Sequence, residues 1–352
     1  MAEIWILGAA GRTGVLTARD LAAAGADVVL VGRSAEALKA VAGPLGARGR
    51  IVVADSIAAM AAELRRAGPV VVANFIGPFA QTAAPIVEAL APGSGYLDLS
   101  NELEAALWTL AQHDAAVASN RCLVSGAGWG VLAAEAAMLR ACEGRPPATR
   151  ARVDVAPFVD AAGPLGHTLA ATIVESVPGG TSVYRDGRLT RVATGGHAQA
   201  LTAPDGHSFT TAAIAFGDLE AARRASGAPA VVAASTAAPS GALAGLLLPV
   251  VSAIFSLRAV RDFATARLAK VNLQPAKGPP RPSWAHARAD WADGTVRETW
   301  LKAGDGTVFT ARVAAEVALR LSRGEGRPGA YTPGALFGAA LAEAAGAEIT
   351  VV

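Results

Sequence analysis

The chain has 352 residues, 52% of them hydrophobic, and a formal net charge of +2 from 31 basic and 29 acidic side chains. That length and apolar content can bury a large core and suggest two domains rather than one. So even a charge balance gives no global pull toward nucleic acid or an acidic membrane, which leaves a small molecule as the expected partner. Two cysteines, Cys122 and Cys142, are too few for a disulfide framework and form no zinc-like spacing, so no metal site and a reducing, cytoplasmic setting are expected. Met1 to Gly8 carries neither the basic region nor the apolar core of a secretory signal.

In chain order, β-branched runs alternate with Ala/Leu-rich stretches: Ile4–Leu7, Val28–Val31, Ile51–Val53, Val70–Val72, Tyr96–Leu99 and Cys122–Val124. Near-continuous apolar strands separated by helical segments imply a parallel sheet covered on both faces. The expected fold class is therefore α/β, with a Rossmann-type doubly wound parallel sheet over residues 1–126. After Gly126 the rhythm changes. A helix is expected near Leu132–Ala141, a linker at Arg145-Pro146-Pro147, and longer strands at Ala151–Val155, Trp284–Trp291, Thr295–Trp300 and Val308–Val313. These point to a second, α+β domain over 127–312 with a mainly antiparallel sheet, before helices near Val313–Leu321 and Leu336–Ala344.

Ala225 to Leu257 contains no charged residue, and Arg258, Arg261, Arg267 and Lys270 follow at near-helical intervals. Pro229, Pro239 and Pro249 interrupt the run before it reaches the roughly 20 apolar residues that a spanning helix needs. Two readings stay open: a strand and helix buried in the domain or in a homodimer interface, and a peripheral membrane contact through residues 241–270.

Gly8-Ala9-Ala10-Gly11-Arg12-Thr13-Gly14 follows the first strand and opens a helix expected to run to Ala24. Glycines here let backbone approach a pyrophosphate, and the amides and dipole of the helix start favour its charge. The spacing is GxxGxxG rather than GxGxxG. At the end of the second strand, where an acidic residue would bind the ribose 2′-hydroxyl of NAD, the chain has Gly32-Arg33-Ser34. A guanidinium fork and a hydroxyl suit a 2′-phosphate, so NADPH is the expected cofactor, with a solvated loop charge as the plain alternative for Arg33. Asp55, after the third strand, is either an adenine partner or a helix-capping neighbour. Asn74, Gly77, Pro78 and Phe79 follow the fourth strand, at the carboxyl edge where open α/β sheets bind ligands; an ordinary Gly-Pro turn is the other reading.

Taken together, these segments resemble the saccharopine dehydrogenase-like reductases, which include saccharopine reductases and the trans-acting enoyl reductases serving polyketide synthases. Asn74 to Phe79 is similar to the family's N-x-x-G-P-F loop, and Gly95 to Glu102 to its G-x-Y-x-D-x-x-x-E segment. Gly166-His167-Thr168 stands where relatives often carry Gly-Gly-Thr, Gly217-Asp218 resembles a family Gly-Asp, Gly278-Pro279-Pro280 resembles a segment of the enoyl-reductase branch, and Tyr331 to Gly338 also matches. The resemblance implies a second domain over the nicotinamide edge and C-terminal helices, from residue 313, returning to the Rossmann half. One segment departs. Where relatives often read G-x-G-[FY]-D-S-x-P-x-D, Gly126 to Glu135 loses the Asp, Ser and Pro, so no relative's substrate carries over directly.

Hydride transfer needs an electrophilic carbon held close to the nicotinamide and a group that stabilises or supplies a proton. His167 and Asp98 are the candidate catalytic residues, with a structural histidine and a helix-capping carboxylate as the alternatives. Trp129 is expected to wall the nicotinamide, and Glu102, Trp129 and Thr168 to face the substrate. The chain holds no Tyr-x-x-x-Lys pair, G-x-S-x-G elbow, HExxH or P-loop, which disfavours short-chain dehydrogenase, hydrolase and kinase chemistry. The leading expectation is NADPH-dependent reduction of an activated C=C bond in an apolar or carrier-linked substrate. The alternatives are a C=N reductase and, in a different class, a non-catalytic NADP(H)-binding, lipid-associated adaptor.

Overall fold

The computed structural model describes residues 3–160, 163–166, 170, 174, 181–193, 195–238, 255, 257–273 and 281–352. The first part runs β1 (Ile4–Leu7), α1 (Arg12–Ala23), β2 (Val28–Gly32), α2 (Ala35–Ala42), β3 (Gly49–Val53), α3 (Ile57–Ala67), β4 (Val71–Asn74), α4 (Phe79–Glu88), β5 (Gly95–Asp98), α5 (Leu103–Ala111), α6 (His113–Ala118) and β6 (Cys122–Val124). The middle holds α7 (Trp129–Ala141), β7 (Arg150–Ala156), β8 (Gly163–Pro164), β9 (Thr181–Arg185), β10 (Arg188–Val192), β11 (Gln199–Thr202), β12 (Ser208–Ala213), α8 (Gly217–Ser226), β13 (Ala230–Ser235), α9 (Arg258–Leu268), β14 (Asn272–Leu273), β15 (Ser283–Asp290) and β16 (Val296–Ala303). The chain closes with α10 (Gly306–Ser322), β17 (Gly329–Tyr331), α11 (Pro333–Phe337), α12 (Ala340–Ala344) and β18 (Glu348–Val351).

Two compact units result. The first takes Met1–Ser100, Glu104–Gly128 and Thr307–Leu336, and the second takes Asn101–Leu103, Trp129–Gly306 and Phe337–Val352. In the first, seven parallel strands lie in the order β17-β6-β5-β4-β1-β2-β3. Every residue of β1, β2, β4 and β5 is buried, as expected for strands packed on both faces. Trp5, Leu7, Val29, Val31, Val72, Tyr96 and Leu123 pack with Leu64 of α3 and Ile86 of α4 to make the core. The strand order reverses between β1 and β4, so the loops after these two strands open at the switch point, where such sheets take their ligands.

The second unit holds a mixed sheet, β10-β9-β13-β7-β15-β16-β18, with β12 added on β13 and β11 on β12. Only β13 and β7 run parallel; the other described pairings are antiparallel. α7 packs on β15 and β16, and α8 on β7 and β13. Strand alternation separates an apolar set, Val153, Val155, Ala285 and Ala287, from a polar set in which Asp154 pairs in register with His286 and Arg152 with Arg288. The expected fold class, a Rossmann-type sheet and a mainly antiparallel second sheet, is what the structure shows.

Several local expectations are corrected. Val308–Val313, expected as a strand because of its β-branched residues, belongs to α10. Phe309, Ala311, Val313, Ala314, Val317 and Ala318 are buried at helical spacing, so tertiary burial overrides the weak intrinsic preference of Val and Thr. The single helix expected at Leu336–Ala344 is two short helices, interrupted by Gly338 in the left-handed region at φ 74°. The strands β17 and β18 were not anticipated.

Candidate functional site

In the first unit, Gly8 makes the turn out of β1 at φ 80°, and a Cβ there would stand 3.1 Å from Ile76 Cγ1 and 3.2 Å from the Phe75 carbonyl oxygen. Gly14 sits even closer to its surroundings: a Cβ would lie 2.7 Å from the Gly8 carbonyl oxygen and 2.8 Å from that of Ala9. Only glycine lets α1 start this near the strand it leaves. Gly11, the N-cap, offers no side chain to the helix, and no acidic residue lies in its first turn. The first helical bond runs from Val15 N to Gly11 O at 2.9 Å, and the amides ahead of such a bond lack intrahelical partners. With Ala10 exposed and Arg12 and Thr13 half-buried beside it, this helix start fits a pyrophosphate in geometry and in electrostatic sign.

At the end of β2, Arg33 is exposed and has no ion pair among the described residues. Ser34 caps α2, its Oγ accepting from Ala37 N at 3.2 Å, which leaves the hydroxyl hydrogen available to an anion. Asp55 is exposed, while the cap of α3 is its neighbour Ser56, whose Oγ accepts from Ala59 N at 3.2 Å. The loop after β4 is braced from within. Asn74 is fully buried and donates to Thr82 Oγ1 and the Tyr96 hydroxyl, both at 3.2 Å, while its own Oδ1 accepts from Ile76 N at 3.1 Å. Gly77–Pro78 is a cis peptide, Pro78 is the N-cap of α4, and Phe79 is buried as its first residue.

Asp98, at the end of β5, is also fully buried. Its Oδ1 accepts from Ser100 N, Ser125 Oγ and Gly126 N, each at 3.0 Å, so one carboxylate oxygen ties the end of β5 to the turn after β6. Its Oδ2 has no hydrogen bond among the described residues. Burial pushes this carboxyl up, against the lowering effect of the donors from Gly126, Ser100 and Ser125.

In the second unit, Trp129 is buried at the start of α7, and Glu102 forms an isolated antiparallel bridge with Phe216. A Cβ on Gly130 would lie 2.6 Å from Asn101 Oδ1 and 2.7 Å from its Cγ, so the Asn101 amide fills the space a side chain at position 130 would need. The polar group that the family resemblance would put at 130 is thus absent, and a different one, on a different segment, stands there. Asn101 Oδ1 is buried without a hydrogen bond among the described residues. The Asn101 carbonyl accepts from Gly217 N at 2.9 Å, which brings this segment to the first residue of α8, next to Asp218. Asp218 is fully buried, its side-chain oxygens have no well-formed hydrogen bond among the described residues, and burial pushes its carboxyl up to about 8 against the lowering effect of nearby backbone amides, with the Asp154 charge adding to the rise. Neither Asn101 nor Asp218 was assigned a role from sequence. Asp218 carried a signal in the Gly-Asp pair, whereas the approach of Asn101 to Gly130 is purely through space.

His167 and Thr168 lie outside the described residues, as do Gly278-Pro279-Pro280. A cavity of about 530 Å³ in this unit is lined by Arg150, Arg152, Arg185, Arg288 and His197 among others. Arg152 there is held by the buried Asp154, which also accepts from Thr211 Oγ1 at 2.6 Å.

No protein-family model matches the chain. Trans-acting enoyl reductases of Mycobacterium tuberculosis and Mycobacterium bovis are 37% identical to it over 107 residues, a match spanning 29% of this chain and only 26% of theirs. Among solved structures, the saccharopine dehydrogenase (L-Glu forming) of Saccharomyces cerevisiae superposes with a TM-score of 0.61 over the full length of both chains, at 12% identity. The expected resemblance to the saccharopine dehydrogenase-like reductases is borne out, in fold along the whole chain and in sequence over 107 residues.

Proposed function

We propose that this protein is an NADPH-dependent reductase that delivers hydride to an activated C=C bond of an apolar or carrier-linked substrate. The observation that carries the proposal is the glycine cradle at the switch point, opening on a helix start with no side-chain cap, with an exposed arginine at the end of β2 that has no ion pair among the described residues. In this reading Gly8, Ala10, Gly11, Arg12, Thr13 and Gly14 hold the pyrophosphate, Arg33 and Ser34 the 2′-phosphate, and Asp55 the adenine side. Asn74, Gly77, Pro78 and Phe79 border the nicotinamide end. The bound cofactor supplies the hydride. His167 supplies a proton, Asp98 fixes the Gly126 turn, and Glu102, Thr168 and Trp129 orient the substrate. The enoyl reductases matched over 107 residues favour C=C over C=N. A cytoplasmic setting and a homodimer complete the proposal.

A second reading, C=N reduction of an amino-dicarboxylate, is favoured by the arginine-lined cavity, since guanidinium groups pair well with carboxylates.

Titrating the protein and Arg33→Ala with NADPH and NADH tests the cofactor reading. Losing charge-assisted hydrogen bonds to the 2′-phosphate should weaken NADPH about ten- to hundredfold and leave NADH unchanged. Equal losses for both would sink it. NADPH oxidation with enoyl thioester, imine and carbonyl panels separates the two reductase readings, and tight binding with no turnover on any panel would support the adaptor instead.

A further inference from the structure

The uncharged stretch from Ala225 to Leu257 resolves into unlike parts. Its first third contains β13, a strand inside the second sheet, so the buried-strand reading holds there. Residues 239–254 lie outside the described residues. The stretch then ends at Leu257, the N-cap of α9, where the basic residues begin.

α9 presents two different sides. Thr265 is buried and Val260, Ala264 and Leu268 are half-buried, while Arg261 turns inward and donates to the Phe255 carbonyl at 3.0 Å. On the opposite side Phe263 is 66% exposed between the exposed Ala259 and Ala266, and Leu257 at the helix start is 61% exposed. Arg258, Arg267 and Lys270 are exposed around them, with Arg267 lying 5.7 Å from the Phe263 ring and Asp262 the one acidic residue of the helix. A single exposed apolar side chain needs no explanation. An exposed phenylalanine and leucine on an 11-residue helix, edged by cations, form the pattern of a helix lying in a lipid interface.

The helix is held in place from behind. The Ala269 carbonyl accepts from Gly166 N at 3.1 Å, the Val271 carbonyl from Leu165 N at 2.8 Å, and β14 pairs antiparallel with β8. Among the described residues no helix is long and apolar enough to cross a membrane, so lipid contact here is made at the surface.

We propose that the outer side of α9 docks on an anionic lipid bilayer, with Phe263 and Leu257 entering the headgroup boundary and Arg258, Arg267 and Lys270 meeting the lipid phosphates. The inference stands whether or not the reductase reading does.

The test is co-sedimentation of the full chain with phosphatidylcholine vesicles, with and without phosphatidylglycerol, over a range of salt. Binding should require the anionic lipid and weaken with salt. Replacing Arg258, Arg267 and Lys270 together by Gln should lower partition roughly a hundredfold, at about fivefold for each cation. Phe263→Ser should lower it while leaving its salt dependence unchanged, and circular dichroism and thermal unfolding confirm that each variant is folded. Equal binding to both vesicle types, or variants that bind as the parent does, would overturn the proposal. So would self-association that is lost in Phe263→Ser without any vesicle binding, which would make this face an interface between copies of the chain.

Discussion

The side-chain amide of Asn101 occupies the volume that a Cβ on Gly130 would take, with Oδ1 2.6 Å from that point. A methyl group at 130 therefore forces Asn101 to move. Gly130→Ala should cost about 1–3 kcal/mol, the usual range for forcing extra volume into a tightly packed position. Adding Asn101→Ala should recover most of that loss, and urea denaturation of the two single variants and the double variant measures the coupling.

Gly14 makes a similar prediction with less room for relief, because the atoms a Cβ would meet at 2.7 and 2.8 Å are both backbone oxygens. Gly14→Ala should displace the start of α1 from the turn after β1. We expect a loss of about 1–3 kcal/mol and, on the proposed cofactor reading, a smaller rise in melting temperature on adding NADPH than for the parent. Thermal unfolding with and without NADPH reads both effects.

Asp218 couples folding to pH. Its carboxyl titrates near 8 in the folded chain against an ordinary value of 3.8, so between these the folded state keeps a proton that the unfolded state has released. Stability should fall as pH rises through that window, by at most about 1.4 kcal/mol per pH unit, and this contribution should level off above pH 8. Asp218→Asn carries no charge to bury, so its stability relative to the parent should climb steadily over the same range. Denaturation curves collected across the window decide; parallel curves would show that Asp218 does not titrate there.

Asp98 separates a positioning role from a chemical one. Asp98→Ala removes the acceptor shared by Ser100 N, Ser125 Oγ and Gly126 N and should cost about 2–4 kcal/mol. Asp98→Asn keeps an acceptor oxygen and should lose much less stability. If the side chain only braces the turn, the Asn variant should retain kcat; a large fall in kcat without loss of stability would make Asp98 a participant in proton transfer.

Much of this architecture was legible because burial on both faces leaves a plain trace: β1, β2, β4 and β5 are runs in which every residue is buried. The glycine turn was legible for a related reason, since close backbone approach excludes every other residue at Gly14. What escaped is instructive in physical terms. β17 is three residues beside a Pro-Gly pair and has no periodicity of its own; pairing with β6 makes it a strand. Thr307 to Val313 has β-forming residue types, and only its burial pattern shows a helix. Asn101 next to Gly130 is a contact between segments far apart in the chain, which no local pattern encodes.

The return of residues 307–336 to the parallel sheet also bears on how the protein is made. β17 pairs with β6 at one end of that sheet, and the Thr17 hydroxyl of α1 donates to the Ala311 carbonyl of α10 at 3.3 Å. β18, from the last stretch, pairs with β16 in the other unit. During synthesis, then, neither unit can finish folding when its first strands leave the ribosome. Each waits for partners translated after residue 306, and a chain stopped before residue 307 would leave β6 and β16 each without its outer neighbour, a bare strand edge open to aggregation.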